Sequence, residues 1–132
     1  MSTRPAPSPS TTLFIEDREI AAKAFGECHG GVGTVTCRDL IEKLPAKHFI
    51  RYIHDDILPP GTSIGYHQHP SETPFEEWYY VLSGHGVMTL DGKDYPMGPG
   101  DVSGCFANGF HGLKNTGTED LRLLVIAARP IG

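Results

Sequence analysis

No uncharged apolar run in this chain is longer than the six residues 123–128. A membrane-spanning helix needs roughly twenty such residues, so no helical span is encoded within the sequence. Lys and Arg never stand side by side, and 16 acidic against 11 basic residues leave a formal net charge of −5. Nucleic acid is gripped by rows of cationic side chains and is not an expected partner. Cysteine is scarce: Cys28, Cys37 and Cys105 are an odd count without a C-x-x-C pair, which excludes a complete intrachain disulfide framework. Residues 1–10 are polar and proline-rich and lack the apolar stretch of a secretory leader. These features lead us to expect a reducing, cytoplasmic setting. The 132 residues have room for one core and not for two.

Punctuation is abundant. Sixteen glycines and eleven prolines interrupt the chain every few residues, which suits many short strands and leaves little room for long helices. Residues 1–12 have three prolines and no spaced apolar side chains, and are expected to form a flexible tail. Over 16–25, Ile20 with Ala24 and Ala21 with Phe25 stand at i,i+4 ahead of Gly26, the pattern of one short N-terminal helix. The run His29-Gly30-Gly31-Val32-Gly33 lacks the Lys-Ser/Thr of a phosphate loop and reads as a glycine-rich turn. Residues 34–44 fit either a strand or a short helical turn capped by Thr36.

Strand-like runs then follow at 49–58, 64–69, 76–82, 86–90, 102–106, 111–114 and 121–128. Asp91-Gly92 is the strongest hairpin turn among the separators, because both of its positions tolerate positive φ. Seven short strands in this span predict an all-β sandwich or small closed barrel.

His67 and His69 are one residue apart in a strand-like run, so both imidazoles project from the same face. Convergent imidazoles suit a divalent ion, although H-x-H alone is a weak signal. The frame around the pair is more specific. Gly61, five residues, His67-Gln68-His69, then Glu77, six residues and Gly84 is followed by Gly100, Phe106, Asn108, His111 and Asn115. This frame resembles the two motifs of the cupin family, G-x5-H-x-H-x(3,4)-E-x6-G and G-x5-P-x-G-x2-H-x3-N, over about residues 48–128. The sequence departs from the motifs in three places. Seven residues separate His69 from Glu77, Phe106 stands for the Pro, and Asn108 stands for the Gly. Glu72, Glu76 and Glu77 all compete for the carboxylate role. Glu77 is preferred because it alone keeps the six-residue spacing to Gly84, and because its period-2 partners Tyr79 and Val81 can line one interior face.

The resemblance implies a single double-stranded β-helix, or jelly-roll, domain over residues 13–132. It also implies one divalent transition metal (Mn, Fe, Ni, Co, Cu or Zn) held by His67, His69, Glu77 and His111. Three neutral imidazoles and one carboxylate would leave such a site with net charge +1, which favours a small anionic or enolisable substrate. The implied function is a metal-dependent enzyme, either a dioxygenase or an isomerase, lyase or cyclase. The alternative is a non-catalytic module that binds a metal, a sugar or a small acid. Tyr79 and His85 are the candidate acid–base groups beyond the ligands, and the resemblance implies a homodimer. Arg51 and Tyr52 precede the first motif, and either could face the pocket. His29, His48 and His54 are expected to be surface or internally satisfied residues. Cys105 is expected to be buried, and Cys28 and Cys37 to be packing or surface groups.

Overall fold

The computed structural model describes residues 12–43 and 48–130, so the expected tail over residues 1–12 lies, but for Thr12, outside the described part. The alternating segments form ten strands: β1 Ala22–Gly26, β2 Thr34–Asp39, β3 Ile50–Leu58, β4 Ser63–Gln68, β5 Glu76–Ser83, β6 Gly86–Leu90, β7 Lys93–Met97, β8 Val102–Cys105, β9 Phe110–Lys114 and β10 Leu121–Ala128. They build a six-stranded sheet, β1-β2-β3-β10-β5-β8, and a four-stranded sheet, β4-β9-β6-β7. Every pairing is antiparallel. The predicted all-β class and strand order along the chain are therefore present.

β10 lies in the middle of the larger sheet, between β3 and β5. Leu121, Leu123, Val125 and Ala127 alternate inward along it and are fully buried. Leu121, Leu123 and Val125 meet Leu58 and Val81 from their own sheet and Ile64, Met88 and Leu113 from the other in one core cluster. Each such side chain removed from water contributes about 1.5–3 kcal/mol. The predicted hairpin is realised, with Asp91 at φ 47° and Gly92 at φ 81° joining β6 to β7. Asn108 also takes the left-handed conformation, at φ 70°.

The expected N-terminal helix over 16–25 is not formed. A capping box between Glu16 and Glu19 closes a single 3-10 turn over Asp17–Glu19, and Ile20 is already extended. Ala22–Gly26 then pairs with β2, Phe25 opposite Val35. Ala24 and Phe25, the second members of the two i,i+4 pairs, bury against nothing, since every β1 side chain is exposed. Ladder bonds to β2 satisfy the backbone instead. β7 was not anticipated as a strand because Lys93-Asp94-Tyr95-Pro96-Met97 has little apolar alternation. It forms as an edge strand, where a proline is tolerated.

Asp55 ties the sheet together on β3. Its carboxylate accepts hydrogen bonds from Arg122 Nε at 2.9 Å and Nη2 at 2.8 Å, and Arg38 approaches to 3.4 Å. The Arg122 hydrogen bond, with both guanidinium charges, outweighs burial and holds the carboxyl below its ordinary value. A depressed folded-state value stabilises the fold above the unfolded value of about 4, and that contribution is lost as pH falls through the folded one. Asp55→Asn is therefore expected to cost about 1–3 kcal/mol at pH 7. The difference from wild type should shrink at pH 3, as measured by denaturant unfolding at both values.

Candidate metal centre

Three strands from two sheets deliver the predicted donors. His67 on β4 lies directly opposite His111 on β9 in the ladder, and His69 follows immediately after β4. Glu77 is the second residue of β5 in the facing sheet, where its strand neighbours are Ala127 of β10 and Cys105 of β8. The ligating atoms of the three histidines all lie within 4.8 Å of one another. The Nε2 atoms of His69 and His111 are 2.9 Å apart, and Glu77 Oε1 is 3.3 Å from the first and 3.1 Å from the second. His69, His111 and Glu77 are all buried.

The carboxylate and two of the imidazoles are held in states fit to bind a cation. His67 Nδ1 donates to the Gly65 carbonyl at 2.7 Å, which leaves the Nε2 lone pair free. Burial lowers the His67 and His69 imidazoles below their ordinary value, so both are favoured neutral. Burial alone would raise Glu77, but hydrogen bonds from His111 and Tyr52 bring its carboxyl below the usual range. His69 Nδ1 is buried with no hydrogen-bond partner among the described residues. Two imidazole nitrogens at 2.9 Å cannot both point protons at each other, and a carboxylate stands beside them. Neutral nitrogens and an ionised oxygen around one point are the donor set that a first-row divalent ion takes, so the residues fit a metal.

The surroundings orient these donors. The Tyr52 hydroxyl donates to Glu77 Oε2, so Tyr52 is the inward-facing member of the Arg51/Tyr52 pair. Arg51 is exposed and lies over the Phe75 ring at 4.6 Å. Phe75 stacks on His69 at 4.7 Å, and Tyr79 meets His111 edge-on at 5.1 Å. His29, expected to be a surface or internally satisfied residue, is exposed and stacks on His67 with centroids 3.7 Å apart. The glycine-rich run delivers it. A Cβ on Gly65 would stand 2.0 Å from the His29 carbonyl oxygen, and one on Gly31 would stand 2.2 Å from that of Ser63. Only two glycines allow the loop and β4 to approach so closely. The sequence leaves open which of Arg51 and Tyr52 faces inward and gives His29 no motif spacing, because Tyr52 and His29 each reach the site through a long-range contact. Period 2 could have grouped Tyr52, His54 and Asp56, but not shown which face was inner.

The other candidates lie elsewhere. Glu76 is exposed and accepts from Trp78 Nε1 at 3.3 Å, and Glu72 is exposed in the loop before β5. His48 is exposed. His85 sits in the β5–β6 turn, where a Cβ on Gly98 would meet its ring at 3.0 Å. Cys105 is buried opposite Glu77. A cavity of about 420 Å³ adjoins Glu77, with Tyr52, His54, Tyr79, Ile64 and Val125 in its wall.

A family model described as "Cupin domain" matches residues 55–127. The chain is similar to an oxalate-binding protein of Thermotoga maritima, at 36% identity over 118 residues, covering 88% of this chain and 93% of that one. It is also similar to the crystal structure of a predicted oxalate decarboxylase from Thermotoga maritima. That match has a TM-score of 0.80 and 33% identity, and covers 89% of this chain and all of the other. A 5-nitrosalicylic acid 1,2-dioxygenase of Bradyrhizobium sp. is 29% identical over 70 residues, 53% of this chain and 32% of that protein.

Tyr52→Phe removes one hydrogen bond from Glu77 while keeping the ring. Loss of such a supporting contact typically costs about 10–100-fold in metal affinity. Chelator competition on the folded variant should read a loss in that range, whereas Glu72→Ala should read none.

Proposed function

The chain belongs to the cupin family, and on that premise we propose that His67, His69, Glu77 and His111 hold one divalent transition-metal ion in a metal-dependent small-molecule enzyme. Its proposed substrate is a small chelating anion of the oxalate class. The observation that carries this reading is the convergence of three imidazoles and one buried carboxylate beside a cavity. When bound, such an ion supplies a Lewis-acid centre with net charge +1, which draws an anionic substrate. The relative described as oxalate-binding, at 36% identity, supports the anion class.

The chain's own residues do the rest. Tyr52 fixes Glu77 Oε2, and Gly65 fixes the ring of His67. Phe75 covers His69, and Tyr79 covers His111. These aromatic walls limit water around the donors, which strengthens every charge interaction inside. Burial raises the Tyr79 phenol well above its ordinary value, so it stays protonated. We assign it to contact with substrate as a hydrogen-bond donor rather than as a base. His85, in the turn and outside the cavity wall, is assigned no such contact. The outward row of Trp78, Tyr80 and Leu82 is exposed on β5, and we assign it to the homodimer contact implied by the family.

The second reading is capture without turnover. It is favoured because Tyr52 and Tyr79, the two phenols beside Glu77 in the cavity wall, are both held protonated and so do not serve as bases.

Elemental analysis with oxalate calorimetry and product detection by NMR separates these readings. The protein should retain about one metal per chain, His111→Ala should lose it, and the loaded protein should bind and consume oxalate while ignoring its dimethyl ester. Binding without consumption would favour capture. Failure to hold metal after reconstitution, or equal binding of the diester, would contradict both.

A further inference from the structure

The cavity beside Glu77 carries a second group of donors that the proposed centre does not use. On β3, alternation turns Tyr52, His54 and Asp56 to the same face. Across the ladder, Asp56 lies directly opposite Cys37 of β2. Cys37 Sγ, a His54 ring nitrogen and an Asp56 carboxylate oxygen all lie within 4.8 Å of one another. All three residues line the cavity wall.

Asp56 itself points to a ligand. It is only 7% exposed, and its Oδ1 has no hydrogen-bond partner. Its neighbour Asp55, on the opposite face of the strand, is saturated by Arg122 and Arg38. No guanidinium or ammonium group pairs with Asp56 among the described residues. A buried carboxylate oxygen left in this state is costly unless it is protonated or meets a cation.

We propose that Cys37, His54 and Asp56 form a second metal site, for a thiophilic divalent cation of the zinc type, in the wall of the cavity served by the first. The donor chemistry differs from that of the histidine–glutamate centre. One sulfur, one nitrogen and one oxygen suit zinc or cobalt, whereas a site without sulfur also accepts harder ions such as manganese. Three protein donors leave a tetrahedral ion one position for a ligand from the cavity. Without a cation, burial raises both neighbouring acids, Asp56 to about 6 and the Cys37 thiol far above its usual range. A bound divalent charge reverses that preference and takes the thiolate directly. This site goes beyond the function proposed above and does not depend on it.

Cobalt(II) is the probe, because a thiolate ligand gives it a near-ultraviolet charge-transfer band that nitrogen and oxygen donors do not. Titration of the full chain with cobalt(II) should load two ions per chain and develop the band. Cys37→Ser and Asp56→Asn should each lose one ion and the band, and keep the first site. His111→Ala should lose the other ion and keep the band. A single cobalt that carries the band and is indifferent to His111→Ala upholds this site and overturns the histidine–glutamate centre. Wild-type protein that loads cobalt without the band, or a band that survives Cys37→Ser, overturns this site whatever the variants' folding.

Discussion

A carboxylate with 6% of its surface exposed must be compensated, and Glu77 is compensated by two imidazoles and a phenol rather than by Lys or Arg. Much of the site's arrangement follows from this constraint. The partners must arrive from other strands, so His69 and His111 come from the facing sheet while Tyr52 crosses from β3, two strands away in Glu77's own sheet. The β4–β9 register that sets His67 opposite His111 is therefore also the alignment that brings His111 to the carboxylate. A one-residue slip of either strand would turn its histidines to the other face and take an imidazole partner from Glu77. The fold and the site thus share one register.

The second constraint is close backbone approach. The loop bearing His29 lies against β4 only because Gly31 and Gly65 have no side chains, and Ser63 stitches it there by accepting from Val32 N at 2.8 Å through its hydroxyl. This packing closes one wall of the cavity and stacks His29 on His67. On the opposite wall, the inner face of β3 lines up Tyr52, His54 and Asp56 in sequence. Glu77 and the Cys37 cluster are thus two ends of one polar strip in an otherwise apolar core.

How much of this is legible in the sequence depends on the range of the interaction. His67, His69, Glu77 and His111 could be picked out because their spacing is local to two motifs and period 2 fixes their shared faces. The Asp91-Gly92 hairpin was readable because it is a backbone preference of its own residues. The helix expected over 16–25 failed because propensity without a surface to bury against yields to a neighbouring strand's ladder bonds. The choice of Tyr52 over Arg51, the approach of His29 and the grouping of Cys37 with His54 and Asp56 were hidden because each depends on which element lies next to which. That order is decided by the packing of β3 between β2, its neighbour in sequence, and β10, far along the chain.

The measurement that reaches the central claim most directly is anomalous X-ray scattering at the absorption edge of the metal retained by crystals of the protein. The account predicts a strong peak bounded by the Nε2 atoms of His67, His69 and His111 and by Glu77 Oε1. A map with no density there from metal-replete crystals, or with its strongest peak on other side chains, would contradict it.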